Sequence, residues 1–380
     1  MKSRIYIEAF DCVTSTGANP ELFWSALDQN ISGVGSANVD AWPVRFQKFW
    51  SDQNHSPISC TIKNHLTNAT ETLSTFLSTS ALKTLTDVNP SSKMGIIFSS
   101  TKGAIEDFVW EENLSDDIDP LNIVLVETIK KLPTFTWTLK QVVSNSCASS
   151  HASIALAQKW IEAGACDKVL IIAGDLIGPF IHSGFQTLKA LSGEMARPFQ
   201  DERDGLVLGE AMTAILLSNK ESEFELLDCQ IFNEAHTVTG ASPEGRGLLE
   251  CIKRLRIENP SPDFAIAHGT ATQLNDQIED LVLSKTQKLF DRPFYITGTK
   301  WSVGHTLGAS GSVDLIAAMM SLRHQKVFSL NAKAHAMNTQ CQAQNYMGEK
   351  SQSAKLESAL ITSLGFGGTN GALIIKRHAL

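Results

Sequence analysis

Short apolar runs, rich in β-branched residues, alternate with stretches of helical spacing along almost the whole chain, and few folds accommodate that alternation. "RIYIEAF", "KMGIIFSS", "KVLIIAGD" and "AMTAILLS" read as buried strands, and so do the later "DFAIAHG", "PFYITGT", "ALITSLGFGG" and "GALIIKR". Between them "PELFWSALDQ", "ASIALAQKWIEAGA", "GLLECIKRL", "DQIEDLVLSKTQKLF" and "SVDLIAAMMSLRH" have the spacing of helices with an apolar face. A chain that keeps switching between the two periods predicts a layered α/β protein with helices packed on sheets. Its 380 residues suffice for two core-building halves. A seam is expected near "SNKESEFELLDC", a dense charged stretch between two strand-rich regions, which divides the chain into residues 1–222 and 223–380. The aromatic segment "WPVRFQKFWSDQNHSPISCTIKNHL" follows neither period and reads as a surface excursion or interface segment.

Composition removes several classes of function. A net charge of −8 argues against nucleic acid as the main partner, because phosphate binding wants a basic surface. No run approaches the roughly 20 apolar residues that span a bilayer, and "MKSRIYIEAFDCVTS" reads as a first strand rather than a signal peptide. Seven cysteines without a CxxC pair point to free thiols in a reducing compartment, most simply the cytoplasm.

One thiol has an address of its own. In "VVSNSCASSH" a β-branched stretch gives way to small residues around Cys147, and a helical run follows at once. A sharp strand-to-helix turn exposes the residue at its tip, and the following helix aims unpaired N–H groups there. Those dipoles are expected to favour a thiolate, lowering a pKa that starts near ~8.5. His151, four residues on, points along the helix and reads as a packing or polar-network residue.

"DFAIAHGTATQLND" ends an apolar strand on His268, "PFYITGTK" ends another on Lys300, and "WSVGHTLGASG" sets His305 before a Gly/Ala-rich helix start. Sites of α/β proteins are built at such strand ends. The spacing matches neither HExxH nor paired CxxC, which argues against a metal site. "GFGGTNG" has four glycines in seven residues and admits backbone conformations closed to other residues.

"SNSCASSH", "AHGTATQLNDQIED", "KWSVGHTLGASG" and "SLGFGGTNGALII", in that order, resemble the β-ketoacyl synthases, the condensing enzymes of fatty-acid and polyketide assembly. "CVTSTGANPELFWSALDQNISGV" and "FQTLKALSGEMARPFQDERDGLVLGEAMTAILL" extend the resemblance from about residue 4 to 377. It implies the thiolase fold: two similar α/β halves in a five-layered α-β-α-β-α core, usually dimeric. It implies that Cys147 accepts the acyl group, that His268 and His305 are the active-site histidines, and that Lys300 orders them. Glu279 and Asp314 would support this network, and Phe366 would gate the pocket, its backbone N–H and that of Cys147 forming an oxyanion hole.

The implied reaction is a decarboxylative Claisen condensation of an acyl thioester on Cys147 with a malonyl thioester, requiring no metal or redox cofactor. The implied partners are acyl carrier protein and a second ketosynthase-like subunit, in a homodimer or in a heterodimer with a chain-length factor. An acidic carrier would need a local basic patch, for which Lys130 with Lys131, or Arg45 with Lys48 and Lys63, are candidates. The sequence departs from the family's pattern in its short length, in "SNSC" before the nucleophile, and in Asp314 where many members have glutamate. Two other functions remain open: a chain-length-factor-like partner subunit, and another Cys-dependent acyltransferase or hydrolase on the same fold.

Overall fold

The computed structural model describes residues 4–378 except 52, 54–56, 67, 90, 110–116, 238–239, 257–260 and 332–336. Ten strands form one continuous sheet: β1 (Ile5–Thr14), β2 (Met94–Ser99), β3 (Trp137–Val143), β4 (Lys168–Asp175), β5 (Ala211–Ser218), β6 (Phe224–Asn233), β7 (Phe264–Ile266), β8 (Tyr295–Thr297), β9 (Ser358–Gly365) and β10 (Thr369–Arg377). Their order is β8-β7-β9-β10-β6-β1-β5-β4-β2-β3.

The pairing pattern occurs twice. β1 runs antiparallel to β5, β5 antiparallel to β4, and β4, β2 and β3 are parallel. Likewise β6 runs antiparallel to β10, β10 antiparallel to β9, and β9, β7 and β8 are parallel. The two sets meet where Ile5, Tyr6 and Ile7 of β1 pair with Leu226, Glu225 and Phe224 of β6.

Seven helices matter for the site: α1 (Ala69–Thr84), α2 (Pro120–Lys130), α3 (Ser149–Glu162), α4 (Pro179–Thr187), α5 (Arg246–Arg254), α6 (Gln273–Leu289) and α7 (Ser310–His324). α1 packs on β1, β4 and β5 with α2 behind it, and α5 packs on β6 and β10 with α6 beside it. α3 and α7 touch each other and reach strands of both sets, forming the middle layer. A helix in that position meets protein on every side, and α7 is accordingly buried from Ser310 to Leu322. His151 of α3 is fully buried there against Gly311 and Gly371, the packing role expected of it.

Several helices escaped the apolar-pattern reading, α1, α2 and α4 among them. α1 is rich in Ser and Thr, but Leu73, Leu77 and Ala81 form a buried stripe. Ser78 and Thr84 satisfy their hydroxyls on the carbonyls of Thr75 and Ala81, three residues back. α2 looks strand-like in "NIVLV", yet Asp119 caps it by accepting the Leu121 and Asn122 N–H groups. The aromatic segment is more ordered than a surface excursion: it forms a helix at Val44–Ser51 and a short strand at Ile58–Cys60. Trp42 and Trp50 close around the buried His182 of α4; residues 52 and 54–56 of this segment lie outside the described set.

Candidate active site

The chemistry-bearing residues sit at the C-terminal ends of the parallel strands, where the chain leaves the sheet. After β3 the chain makes a tight turn to α3. Ser146 takes a left-handed conformation, φ 51°, and Ser149 Oγ accepts the Asn145 N–H at 2.8 Å while donating to the Ser146 carbonyl at 2.6 Å. The small polar residues of "SNSCASS" therefore staple the turn that presents Cys147. Cys147 as a whole is 5% exposed.

His305 arrives from the other half. Gly304, at φ 70°, turns the chain after the short helix Lys300–Val303, and the His305 N–H and carbonyl are held by Val207 and Gly209. Its Nε2 lies 3.1 Å from Cys147 Sγ. The Leu307 N–H donates to His305 Nδ1 at 3.2 Å, which places the ring proton on Nε2, facing the sulfur. His305 thus offers the sulfur a donor, not a metal-binding lone pair. His268 follows β7, its ring edge-on to that of His305 with centroids 5.1 Å apart. The sulfur and one nitrogen of each ring lie within 4.8 Å of one another.

Burial and charge set the protonation states. His305 is pushed down to about 3 by burial and by the Lys300 ammonium, and the same two causes lower His268 well below the ordinary imidazole value. Both rings are neutral at pH 7. Lys300 is 1% exposed, and its Nζ donates to Asp314 Oδ2 at 3.2 Å. It acts on the histidines by its field, since its hydrogen bond goes to the carboxylate. Glu279 accepts from the backbone N–H groups of His268 and Gly269 and from Thr362 Oγ1, each at 2.7 Å, so it holds the His268 backbone rather than its ring.

One expectation is corrected. Helix α3 does begin at the thiol, but burial outweighs its dipole and the Lys300 charge, and the Cys147 pKa is pushed up to about 11. At rest Cys147 is a thiol. The Phe366 and Cys147 N–H groups are directed at the sulfur, and Gly367, at φ 81°, shapes the turn that carries Phe366.

A cavity of about 340 Å³ joins these groups, with Cys147, His268, His305 and Phe366 on its wall. Phe366 packs against Phe185 of α4, ring centroids 5.7 Å apart and planes tilted by 31°. Sequence reading missed two contributors. Phe185 carries no local signal. Asp175 closes the run "KVLIIAGD", and a carboxylate directly after a buried strand could have been noticed. It accepts from Ser100 Oγ, from both the N–H and Oγ1 of Thr101, and from the Gly308 N–H, which pins the loop behind His305.

Family models of the β-ketoacyl synthase N-terminal and C-terminal domains match residues 139–223 and 224–332, together just over half of the chain. A 3-oxoacyl-(acyl-carrier-protein) synthase homolog of Saccharomyces cerevisiae is 29% identical over 260 residues, covering 63% of this chain and 59% of the relative. The 3-oxoacyl-(acyl-carrier-protein) synthase 2 of Staphylococcus aureus (strain COL) is 28% identical over 252 residues, covering 61% and 60%. The chain thus spans about three fifths of the length of the curated relatives it matches. Among solved structures, the complex of a ketosynthase with its chain length factor from Xenorhabdus doucetiae contains a chain that superposes with a TM-score of 0.78 at 21% identity, covering 99% of this chain and 98% of that one. A β-ketoacyl synthase from Burkholderia phymatum STM815 superposes with a TM-score of 0.82 at 19% identity, covering 99% and 100%. The fold is the thiolase fold of these ketosynthases.

Proposed function

The chain belongs to the β-ketoacyl synthase family, and from that premise we propose that it catalyses decarboxylative condensation of an acyl thioester on Cys147 with a malonyl thioester, in fatty-acid or polyketide-like synthesis. The observation that carries this reading is the His305 Nε2–H facing Cys147 Sγ at 3.1 Å, with its tautomer fixed by Leu307.

In the first half-reaction the Cys147 sulfur attacks the acyl carbonyl, the bond from that carbonyl to the donor sulfur breaks, and the thiol proton leaves on the departing thiol. The N–H groups of Phe366 and Cys147 hold the oxyanion during this exchange. In the second, the malonyl group loses its carboxylate as CO₂, and the electrons of the broken C–C bond form an enolate. The N–H groups of His268 and His305 stabilise its oxygen. As neutral donors they do not form an ion pair with the malonyl carboxylate that would hold it in place. The enolate carbon then attacks the acyl–Cys147 carbonyl, the new C–C bond forms, and the sulfur leaves. With a pKa of about 11 it takes a proton from water and returns to the thiol.

The N-terminal half, residues 1–222, supplies the nucleophile and the C-terminal half, residues 223–380, supplies both histidines and Lys300; the repeated strand pattern supports this division. The proposed partners are an acyl carrier protein as donor and a second ketosynthase-like subunit, either another copy or a chain-length factor. The S. aureus relative's name and the X. doucetiae complex support both. Of the basic candidates, Lys130 pairs with Glu127, Lys131 donates to Ser74 and Thr75, and Arg45 donates to the Val109 carbonyl; Lys48 and Lys63 complete the set proposed for carrier docking. Seven free cysteines fit a cytoplasmic address, and among the described residues no helix is long and apolar enough to cross a membrane.

The test is malonyl-dependent condensation by the purified protein, alone and with a co-expressed chain-length-factor-like subunit. The expected product is a β-ketoacyl carrier thioester two carbons longer than the primer. Primer hydrolysis without chain extension under both conditions would overturn the reading.

A further inference from the structure

The segment that follows β2 passes behind both walls of the cavity and carries two buried charges four residues apart. The side chains of Lys102 and Glu106 are 7% and 11% exposed, and Lys102 Nζ stands 3.9 Å from Glu106 Oε1, too far for a hydrogen bond. Lys102 Nζ makes no hydrogen bond among the described residues, and the Glu106 carboxylate is faced by the Phe180 and Ile181 N–H groups without a bond of good geometry. Buried ions without such bonds are rare, because desolvation is costly unless something offsets it.

Each carboxylate near Lys102 is attached to a different wall. Glu106 lies against Gly178, where a Cβ would come within 2.2 Å of the carboxyl carbon, and the Phe180 and Ile181 N–H groups at the start of α4 face it. α4 is the helix whose Phe185 packs on Phe366. Asp175 pins Gly308, three residues past His305. The charged and titratable groups around Glu106 are Lys102 and Asp107, the latter engaged by the first N–H groups of α1. Asp175 accepts the N–H and Oγ1 of Thr101, the residue before Lys102, and both the Lys102 charge and the Cys147 thiol act on it.

We propose that Lys102 is a positioning residue of the condensation site: a single buried cation that ties the α4 wall, through Glu106, to the His305 wall, through Asp175. Burial raises the pKa of both carboxyls, and the Lys102 charge is the first cause opposing that rise at each. Its removal takes that charge away from two buried acids, which take up protons more readily and loosen their hold on α4 and on the His305 loop. The kinetic consequence rests on the condensing function proposed above; the effect on stability does not.

The experiment compares the full-length native protein with Lys102→Met, Lys102→Arg and Glu106→Gln. In Lys102→Met, kcat is expected to fall on the order of 10- to 100-fold, with KM for the malonyl thioester within about threefold of native, because the reacting groups remain but are mispositioned. Lys102→Arg restores most of the rate. Acids whose folded pKa is raised lose stability as pH rises toward that pKa, so the Tm deficit of Lys102→Met widens from pH 5 to pH 8. Glu106→Gln removes one such acid and has the opposite sign, gaining on the native protein over the same range. A Tm deficit of Lys102→Met that is constant with pH, or an unchanged kcat, overturns the proposal. If Lys102→Met does not fold, Glu106→Gln decides: no gain with rising pH overturns it. If the native protein condenses nothing, the function fails while the Tm series still decides the role of Lys102.

Discussion

Cys147→Ser is expected to lower acyl loading by more than about 10³-fold while leaving the fold intact. The substitution is nearly isosteric, so the difference lies in the proton. A serine hydroxyl must lose its proton to a base as it attacks, and His305, the imidazole hydrogen-bonded to residue 147, cannot serve. The Leu307 N–H occupies His305 Nδ1, and Nε2 already carries a hydrogen toward the residue 147 side chain. A thiol escapes this restriction, because even at a pKa of about 11 it releases its proton far more readily than a hydroxyl does. Stopped-flow loading from an acyl carrier thioester, with far-UV circular dichroism as the control for folding, checks the expectation. Loading within tenfold of native would mean that a base has been missed.

His305→Ala is expected to slow malonyl decarboxylation by about 10²–10³-fold, the usual consequence of removing one donor from a developing oxyanion. His268→Ala should act similarly. Transfer of the acyl group to Cys147 should suffer much less, since in the proposed mechanism its oxyanion would be held by the Phe366 and Cys147 N–H groups, which face the sulfur. The pH dependence follows from the environment of the rings. An ordinary imidazole titrates near ~6.5, but His305 is pushed down to about 3 and His268 is lowered well below the ordinary value. Both remain neutral as pH falls from 8 to 5, and neither contributes a limb to the rate profile in that window. Glu279 does. Burial pushes it up to about 7, and only its ionised form accepts all three bonds that hold the His268 backbone and Thr362. The decarboxylation rate is therefore expected to fall as pH drops through about 7, and Glu279→Gln should flatten that limb at a lower plateau. A limb that persists in Glu279→Gln and vanishes in His305→Ala would assign the titration to the imidazole instead.

The sequence carried much of this architecture because its signals were local. Strands such as "KVLIIAGD" and "AMTAILLS" are buried along nearly their whole length, so their apolar runs coincide with β4 and β5. Cys147, His268, Lys300 and Phe366 each stand just past such a run, and a strand end is visible in one dimension. Other features depend on partners remote in sequence. The raised pKa of Cys147 follows from burial by the opposite half, which no local dipole argument contains. Phe185 acquires its role only by meeting Phe366, and Asp175 by meeting Gly308, more than a hundred residues away in each case. α1 was obscured because its Ser and Thr hydroxyls bond within the helix, leaving a stripe of only a few apolar residues to mark its buried face.

The central claim is that one sulfur holds an acyl group beside two neutral imidazoles that turn a malonyl group into an enolate. The most direct measurement is peptide-resolved mass spectrometry of the native protein after incubation with a panel of acyl carrier thioesters, followed by a chase with malonyl carrier thioester. The account predicts an acyl adduct confined to the Cys147 peptide that disappears on the chase, with one CO₂ and one β-ketoacyl carrier thioester formed for each adduct lost. An adduct on any other residue, or one discharged as free acid without CO₂, would contradict it.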